Sequence, residues 1–446
     1  MRPSSSRSEP GLFDGVLAAG AVRAAVGDAA WVRAMLDAEA ALARAAARCG
    51  FASATDAEAV VAACATLDVD AGELGAEAAG TGNPVVPLIQ RLRAALPEPV
   101  AQLVHRGATS QDIVDSAAML VAHRALAPLL DDLGAAAELA AGLADRHRGT
   151  VVAGRTLLQQ ALPTTFGLVA AGWLTGLDSA RRRLAEVREH RLAAQLGGAA
   201  GTLAAYGDGP AGAGDPGVRM LAAFSAEIGL AEPDLPWHTE RTRIAELAGA
   251  LGAAAGVAAK VARDLTLFAQ TEVGELAEGG DAGGSSTLPH KHNPIAAVSA
   301  AAAAAQAPGL VATLLAAMAH EHQRAAGSWH AEWQPLRALL ASTGSAAHQL
   351  RRALGDLRVE TDRMRANLDL TRGGLLAERV AGALRPALGA RAHAVVRAAV
   401  ARGDLRADPE ITAELAPDRL ADLLAPEAYV GSADALIDRA LRAARR

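Results

Sequence analysis

The chain has 446 residues, 51% of them hydrophobic but only 3% aromatic, with two cysteines and a formal net charge of −6. That length allows a large core, and the mildly negative charge excludes the broad basic surface that a nucleic-acid partner requires. Ala and Leu dominate the apolar residues and lead the helix-propensity ranking, so the expected fold class is all-α.

The opening Met1-Arg2-Pro3-Ser4-Ser5-Ser6-Arg7 leads into no apolar segment, so no signal peptide is expected. Cys49 and Cys64 lack metal-ligand spacing and read as buried thiols of a reducing cytoplasm. Apolar runs such as 300–305 are too short and too Ala-rich to span a membrane, which leaves a soluble cytoplasmic protein as the expectation.

Residues 18–50 carry Val22, Val26, Trp31, Met35, Leu36 and Leu42 mostly on one helical face. A second helix follows Ser53, and Gly80-Thr81-Gly82-Asn83-Pro84 then interrupts the pattern with turn chemistry. Pro97 and Pro99 mark another break before His105-Arg106-Gly107-Ala108-Thr109-Ser110-Gln111-Asp112, which precedes a helical run over 113–126. Thr109 and Ser110 are N-cap residues with Asp112 in the first turn, and an ordinary cap accounts for them. A helix N-terminus also offers free N–H groups to a carboxylate, however, and His105 and Arg106 stand beside this one.

Proline-free stretches then lengthen, to 129–162, 164–209 and 237–288, without period-two alternation. Helices this long need partners along their length, which predicts a bundle completed by other subunits. Gly154-Arg155-Thr156-Leu157-Leu158-Gln159-Gln160-Ala161 is expected to open one of these helices. Gly207-x-Gly209-x-x-Gly212 formally matches a dinucleotide fingerprint, but Pro210 lies inside it and no strand precedes it. Lys260, Arg263, Glu272 and Glu275 read as solvated or structural ion pairs on the way to residue 283.

Beyond residue 294 an Ala-rich helix is expected over 296–307, then another begun by Pro308 and carrying His320-Glu321-His322-Gln323-Arg324. Histidines two apart on a helix face different ways and no His-Glu-x-x-His is present, so no metal site is expected. Trp329 and Trp333 read as packing residues, while Arg324 and His330 are available to bind carboxylates. Shorter helices follow from Arg358, broken at Pro386, Pro409, Pro417 and Pro426. The expected division is an N-terminal helical domain 1–111, a central long-helix bundle 112–357 and a small C-terminal helical domain 358–446.

Between the long helices lies Gly283-Gly284-Ser285-Ser286-Thr287-Leu288-Pro289-His290-Lys291-His292-Asn293-Pro294, with almost nothing apolar in it. Composition alone fits a flexible linker. Yet the glycines let backbone approach a ligand closely, and Ser285, Lys291 and Asn293 group a proton carrier, a cation and an amide suited to a developing anion.

The order Gly-Ser-Ser-x-Leu-Pro-x-Lys-x-Asn-Pro resembles the signature loop of the fumarase/aspartase superfamily, with Leu288 where Met is commoner. Thr109-Ser110-Gln111-Asp112 and Gly154-Arg155-Thr156-Leu157-Leu158-Gln159 resemble its two other regions, in family order and spacing. The resemblance implies three mostly helical domains per subunit, homotetramers with a twenty-helix core, and active sites shared by three subunits. It implies Ser285 as the proton carrier and Lys291 and Asn293 as stabilisers of an aci-carboxylate carbanion. Asn83, His105, Arg106, Thr109, Ser110, Gln159, Ser286, Arg324 and His330 are the expected substrate binders, with no cofactor and no metal.

The departures are informative. Most members of the superfamily have Thr-His-x-Gln where this chain has Thr156-Leu157-Leu158-Gln159, and a partner glutamate where this chain has Val298. Adenylosuccinate lyases carry another histidine where Asn83 aligns. An amine or hydroxide leaves badly without an acid, whose contribution is about 100- to 10,000-fold. A carboxylate, with a pKa of about 4, leaves unaided. The resemblance therefore implies the branch that lactonises a carboxymuconate, a small tricarboxylate, by intramolecular carboxylate addition to an alkene. The Leu-Phe-Asp-Gly opening and the Ala-Gly-Ser-Trp-His-Ala-Glu-Trp and Tyr-x-Gly-Ser-Ala segments point the same way. The alternative is a β-elimination resembling adenylosuccinate or argininosuccinate cleavage; a silent helical oligomer is a third, non-enzymatic reading.

Overall fold

The computed structural model describes residues 11–210, 214–279, 283–284, 287–403 and 405–446. The chain is mostly helical, as expected, and divides into two compact units assembled from interleaved segments. The first unit takes residues up to 132, 180–256 and 302–348; the second takes 133–179, 257–301 and 349–446.

In the first unit, the helix Asp28–Arg48 buries Val32, Met35, Leu36 and Leu42 on one face and packs against Ala54–Thr66 and Pro216–Ile228. Ser53 caps Ala54–Thr66, its side chain accepting from Asp56 N at 3.0 Å, which removes one unpaired donor of the first turn. Cys64 is buried and its thiol pushed up to about 12, first by desolvation, whereas Cys49 is only partly buried.

Three segments, Ser110–Arg146, Thr242–Phe268 and Ile295–Ala316, are long and apolar enough to cross a membrane by length and composition. The expectation that apolar runs are too short fails for these, the third of which contains 300–305. Their most apolar stretches are 72%, 50% and 33% buried inside the protein, respectively. Ser110–Arg146 runs unbroken through Pro128, where a break was expected. Pro335 and Pro386 likewise lie inside helices. A proline within a helix costs a hydrogen bond and about 3 kcal/mol; the fully buried Leu126 and Leu129 flank Pro128 and offset that cost by their burial.

Among the described residues the second unit contains four short strands, where none was expected. β1 (Val151–Thr156) and β2 (Gln159–Thr165) form an antiparallel hairpin, and β3 (Leu276–Glu278) pairs with β4 (Leu357–Val359). The segment expected to open a helix at Gly154 is therefore a hairpin, and the helix Phe166–His190 begins after it. Val151, Val152, Thr156, Thr164 and Thr165 favour extended backbone, and Pro163 blocks a helix through this stretch. Behind the hairpin, Phe166 meets Trp173 and Phe268 edge-to-face, and Trp173 Nε1 donates to Asp264 Oδ2 at 2.7 Å. The C-terminal helices bury Leu376, Val380, Leu384, Val396 and Ile411 in one core with Val151 and Ala153.

Candidate active site

In the first unit the turn before Ser110–Arg146 is held from two sides. His105 adopts a left-handed φ of 62°, fixed by the buried Glu39, which accepts from its backbone N at 3.0 Å and meets its Nδ1 at 2.7 Å. Burial disfavours the imidazolium, but the charge and hydrogen bond of Glu39 outweigh it, so the pKa of His105 is raised. Gly107 follows with φ 74°, and a Cβ there would lie 2.5 Å from the Tyr206 ring, so only glycine fits. Thr109 N donates to Asp112 Oδ2 at 2.9 Å, closing one side of a capping box.

Asp112 is a hub rather than a simple cap. It also accepts from Gly197 N and Gly198 N, both at 3.0 Å, and meets His238 Nε2 at 2.6 Å. The adjacent Gln111 accepts from Arg324 Nη1 at 2.9 Å and donates to Asp115 and to the carbonyl of His238. Arg324 Nη2 donates to the Gly198 carbonyl at 2.6 Å, so its guanidinium is a fixed cation beside Gln111. Desolvation lowers its pKa, opposed by Asp112 and Asp115. His330 Nε2 lies 3.0 Å from the Gly82 carbonyl, beside Asn83, whose Oδ1 accepts from Val85 N. Arg106 instead donates to the Phe51 carbonyl and lies over that ring.

Beneath this layer, Arg241 is buried between Asp115 and Glu332, with paired hydrogen bonds to each. Burial opposes ionisation of Asp115, yet Arg241 and further donors hold its pKa low; Glu332 is raised, first by burial. His320 Nε2 is 3.2 Å from Glu332 Oε1 but outside hydrogen-bond geometry, so this contact is electrostatic. Trp329 Nε1 donates to Asp115 at 3.0 Å and its ring packs on Trp333. Sequence reasoning passed over Asp115, His238, Arg241 and Glu332. The spacing of Asp112 and Asp115 puts them on one helix face, but nothing local connects them to His238 and Arg241, each 126 positions away.

The stretch His320-Glu321-His322-Gln323-Arg324, expected on a helix begun by Pro308, is not helical. The helix Ala307–Ala316 ends before it and Ser328–Gly355 starts after it. His322 has a φ of 44°, and Glu321 accepts from Ala326 N, so the segment closes as a turn that aims Arg324 back at Gln111. Among the described residues no cluster of His, Cys, Asp or Glu is arranged to hold a metal ion.

In the second unit Leu157 and Leu158 form the two-residue tip of the β1–β2 hairpin, with φ values of 50° and 64°. Both positive angles follow the hairpin-turn pattern that normally selects Asn or Gly. The two side chains are 97% and 71% exposed. Gln159 is exposed opposite Thr156, and Gln160 donates to the Asn367 carbonyl. Near the hairpin tip, opposite Gln160, Arg155 pairs with the fully buried Glu275, which also accepts from Asn367 Nδ2.

Ser285 and Ser286 lie outside the described residues. Around them, Gly283 O accepts from both Asn293 N (3.0 Å) and Asn293 Nδ2 (2.9 Å), and Gly284 bridges His292. Gly283 has φ 89° and a Cβ there would fall 2.2 Å from the Asn293 carbonyl oxygen, so the neck of the loop requires glycine. Lys291 is exposed, its backbone N donating to Leu288 O. Val298, where the superfamily's glutamate was expected to be missing, is 47% exposed.

A family model described as Lyase matches residues 17–309. Nitrosuccinate lyase of Streptomyces davaonensis is 45% identical over 97% of this chain and 94% of its own length. The 3-carboxy-cis,cis-muconate cycloisomerase of Pseudomonas aeruginosa is 44% identical over 96% and 95%. The crystal structure of the 3-carboxy-cis,cis-muconate lactonizing enzyme from Pseudomonas putida superposes with a TM-score of 0.90 at 38% identity, covering 98% of this chain and 99% of that one.

Proposed function

Because the chain belongs to the lyase family of the fumarase/aspartase superfamily, we propose that it is an intramolecular lyase that lactonises 3-carboxy-cis,cis-muconate to 4-carboxymuconolactone, in the breakdown of protocatechuate. The observation that carries the reading is chemical. Leu157 and Val298 stand where an acid pair would assist a basic leaving group, and neither has a proton to give. In the forward reaction a substrate carboxylate oxygen bonds to the alkene carbon, the π electrons move onto the carbon next to a second carboxylate, and Ser285 protonates that carbon. Lys291 and the loop's N–H groups stabilise the intermediate anion. Asn293 holds the loop neck with one amide hydrogen and has a second to offer. Arg324 is the best-supported carboxylate binder, because it is fixed and half-buried.

The resemblance to nitrosuccinate lyase favours a second reading, β-elimination from nitrosuccinate. There Ser285 removes a proton beside a carboxylate, the C–N bond breaks with its pair going to nitrite, and fumarate is left. Nitrite is a weak base and needs no acid either, so Leu157 and Val298 suit both reactions. Purified protein given each compound separately decides between them: loss of the conjugated diene absorbance supports lactonisation, and nitrite with fumarate supports elimination. Cleavage of adenylosuccinate or argininosuccinate instead would overturn both.

The same reading makes the protein a cytoplasmic homotetramer with sites shared between subunits. Its support is apolar surface: Ile295, Val298 and Leu315 are exposed in a segment whose most apolar stretch is only 33% buried within one chain.

A further inference from the structure

The signature loop leaves the second unit at β3 and returns to it at the helix Ile295–Ala304. Both ends are fastened by one side chain. Glu278, the last residue of β3, accepts from Ala296 N through Oε2 at 3.0 Å and from Ala297 N through Oε1 at 2.7 Å. These are two of the unpaired donors that open a helix, and the carboxylate also faces the positive end of the helix dipole. Glu278 itself has little freedom. β3 is paired with β4, and the next residue, Gly279, donates to the Asp356 carbonyl at 2.7 Å, with no room for a Cβ. The loop is pinched a second time where Gly283 O takes both donors of Asn293.

We infer that Glu278 is a positioning residue: its carboxylate latches the departing strand to the returning helix, so that the neck at Gly283 and Asn293 and the lysine at 291 are held at one height above the second unit's core. A carboxylate is the group that suits this place, since it alone among side chains accepts at two oxygens and carries the charge the helix end attracts. Without it, two buried N–H groups lose their acceptor and the loop hinges at Gly279 instead of at the helix. The kinetic part of this inference rests on the lyase reading, while the latch itself does not.

The test compares wild type with Glu278→Ala and Glu278→Gln. Hydrogen exchange followed by mass spectrometry on peptides spanning 287–297 needs no substrate. In Glu278→Ala exchange should quicken across those peptides, and turnover of whichever substrate the wild type accepts should fall about 10- to 100-fold, the scale of an ångström-sized misplacement, with KM changed less than about threefold. Formate, a free carboxylate able to sit at the helix N-terminus, should slow that exchange and restore turnover along a saturable curve, with no effect on wild type. Glu278→Gln keeps the shape and one acceptor oxygen, so its loss should be smaller than that of Glu278→Ala. Unchanged exchange, turnover within twofold of wild type, no rescue by formate, or a glutamine variant as impaired as alanine would each overturn the latch. Quickened exchange and formate protection in a protein that turns over none of the proposed substrates would instead leave the latch standing and sink the lyase reading.

Discussion

Arg155 grips Glu275 through two parallel hydrogen bonds, Nη1 to Oε2 at 2.8 Å and Nη2 to Oε1 at 2.7 Å, across 120 positions of sequence. The glutamate is fully buried, and Asn367 supplies its remaining donor at 2.7 Å. The Arg155 guanidinium lies over the Phe268 ring. One ion pair thus ties the hairpin to the segment leading into β3.

Breaking such a pair leaves an unmatched buried charge, which typically costs about 3–5 kcal/mol. Arg155→Leu should therefore lower stability by that much in urea denaturation. Arg155→Lys, which keeps the charge but loses the two-pronged geometry, should cost less. An Arg155→Leu protein within about 1 kcal/mol of wild type would show that the pair contributes little, as surface pairs do.

How much of this was legible varies by residue. The Ser53 cap, the helical character and the turn around Gly82 follow from local chemistry, and the structure has them. The hairpin was missed because its tip, Leu157-Leu158, carries neither Asn, Asp nor Gly, the residues that announce such turns. A helix break was expected at Pro386, but it sits, like Pro128 and Pro335, inside a helix whose buried face outweighs a lost hydrogen bond. Arg324 was singled out from its motif, whereas the buried network next to its partner Gln111 was not. Asp115, Arg241 and Glu332 come together only in three dimensions, and an isolated Arg or Asp in a helical sequence reads as solvated surface.

The hairpin tip predicts a trade between stability and function. A left-handed backbone costs an ordinary residue roughly 1–2 kcal/mol, and leucine has no side-chain polar group to compensate. The double change Leu157→Asn with Leu158→Gly should raise stability by about 1 kcal/mol, since Asn-Gly is the preferred pair for this turn. Turnover should fall at the same time, if the two exposed leucines were kept for the site. A stability loss would mean that apolar contacts of the tip outweigh the strain.

The Glu39–His105 pair predicts a pH signature. The pKa of His105 is raised above its ordinary 6.5 in the folded protein. Its contribution to stability is thus fully present below the unfolded value and fades as pH rises through the folded one. The gap in thermal midpoint between wild type and Glu39→Gln should accordingly be wider near about pH 6 than near about pH 9. A gap that is constant, or that widens with alkali, would mean that Glu39 acts only through the backbone N–H of His105.

Ser285 carries the chemistry in the proposed mechanism, and its replacement is the sharpest kinetic test. A serine hydroxyl is a poor proton carrier at neutral pH unless positive charge lies near it. Lys291 is the cation in the same loop, whose neck is closed by Gly283 and Asn293. Ser285→Ala should lose at least about 100-fold in turnover, the scale of one acid–base group. Binding of a tricarboxylate, measured by calorimetry, should change little, because Arg324 and its neighbours are untouched. Ser286→Ala should cost less in turnover, and Lys291→Met should lower turnover without restoring activity at any pH, since it removes the charge that stabilises both the serine alkoxide and the carbanion. Equal and small effects at Ser285 and Ser286 would remove the serine from the proton path and leave His105 or His330 as the groups to test next.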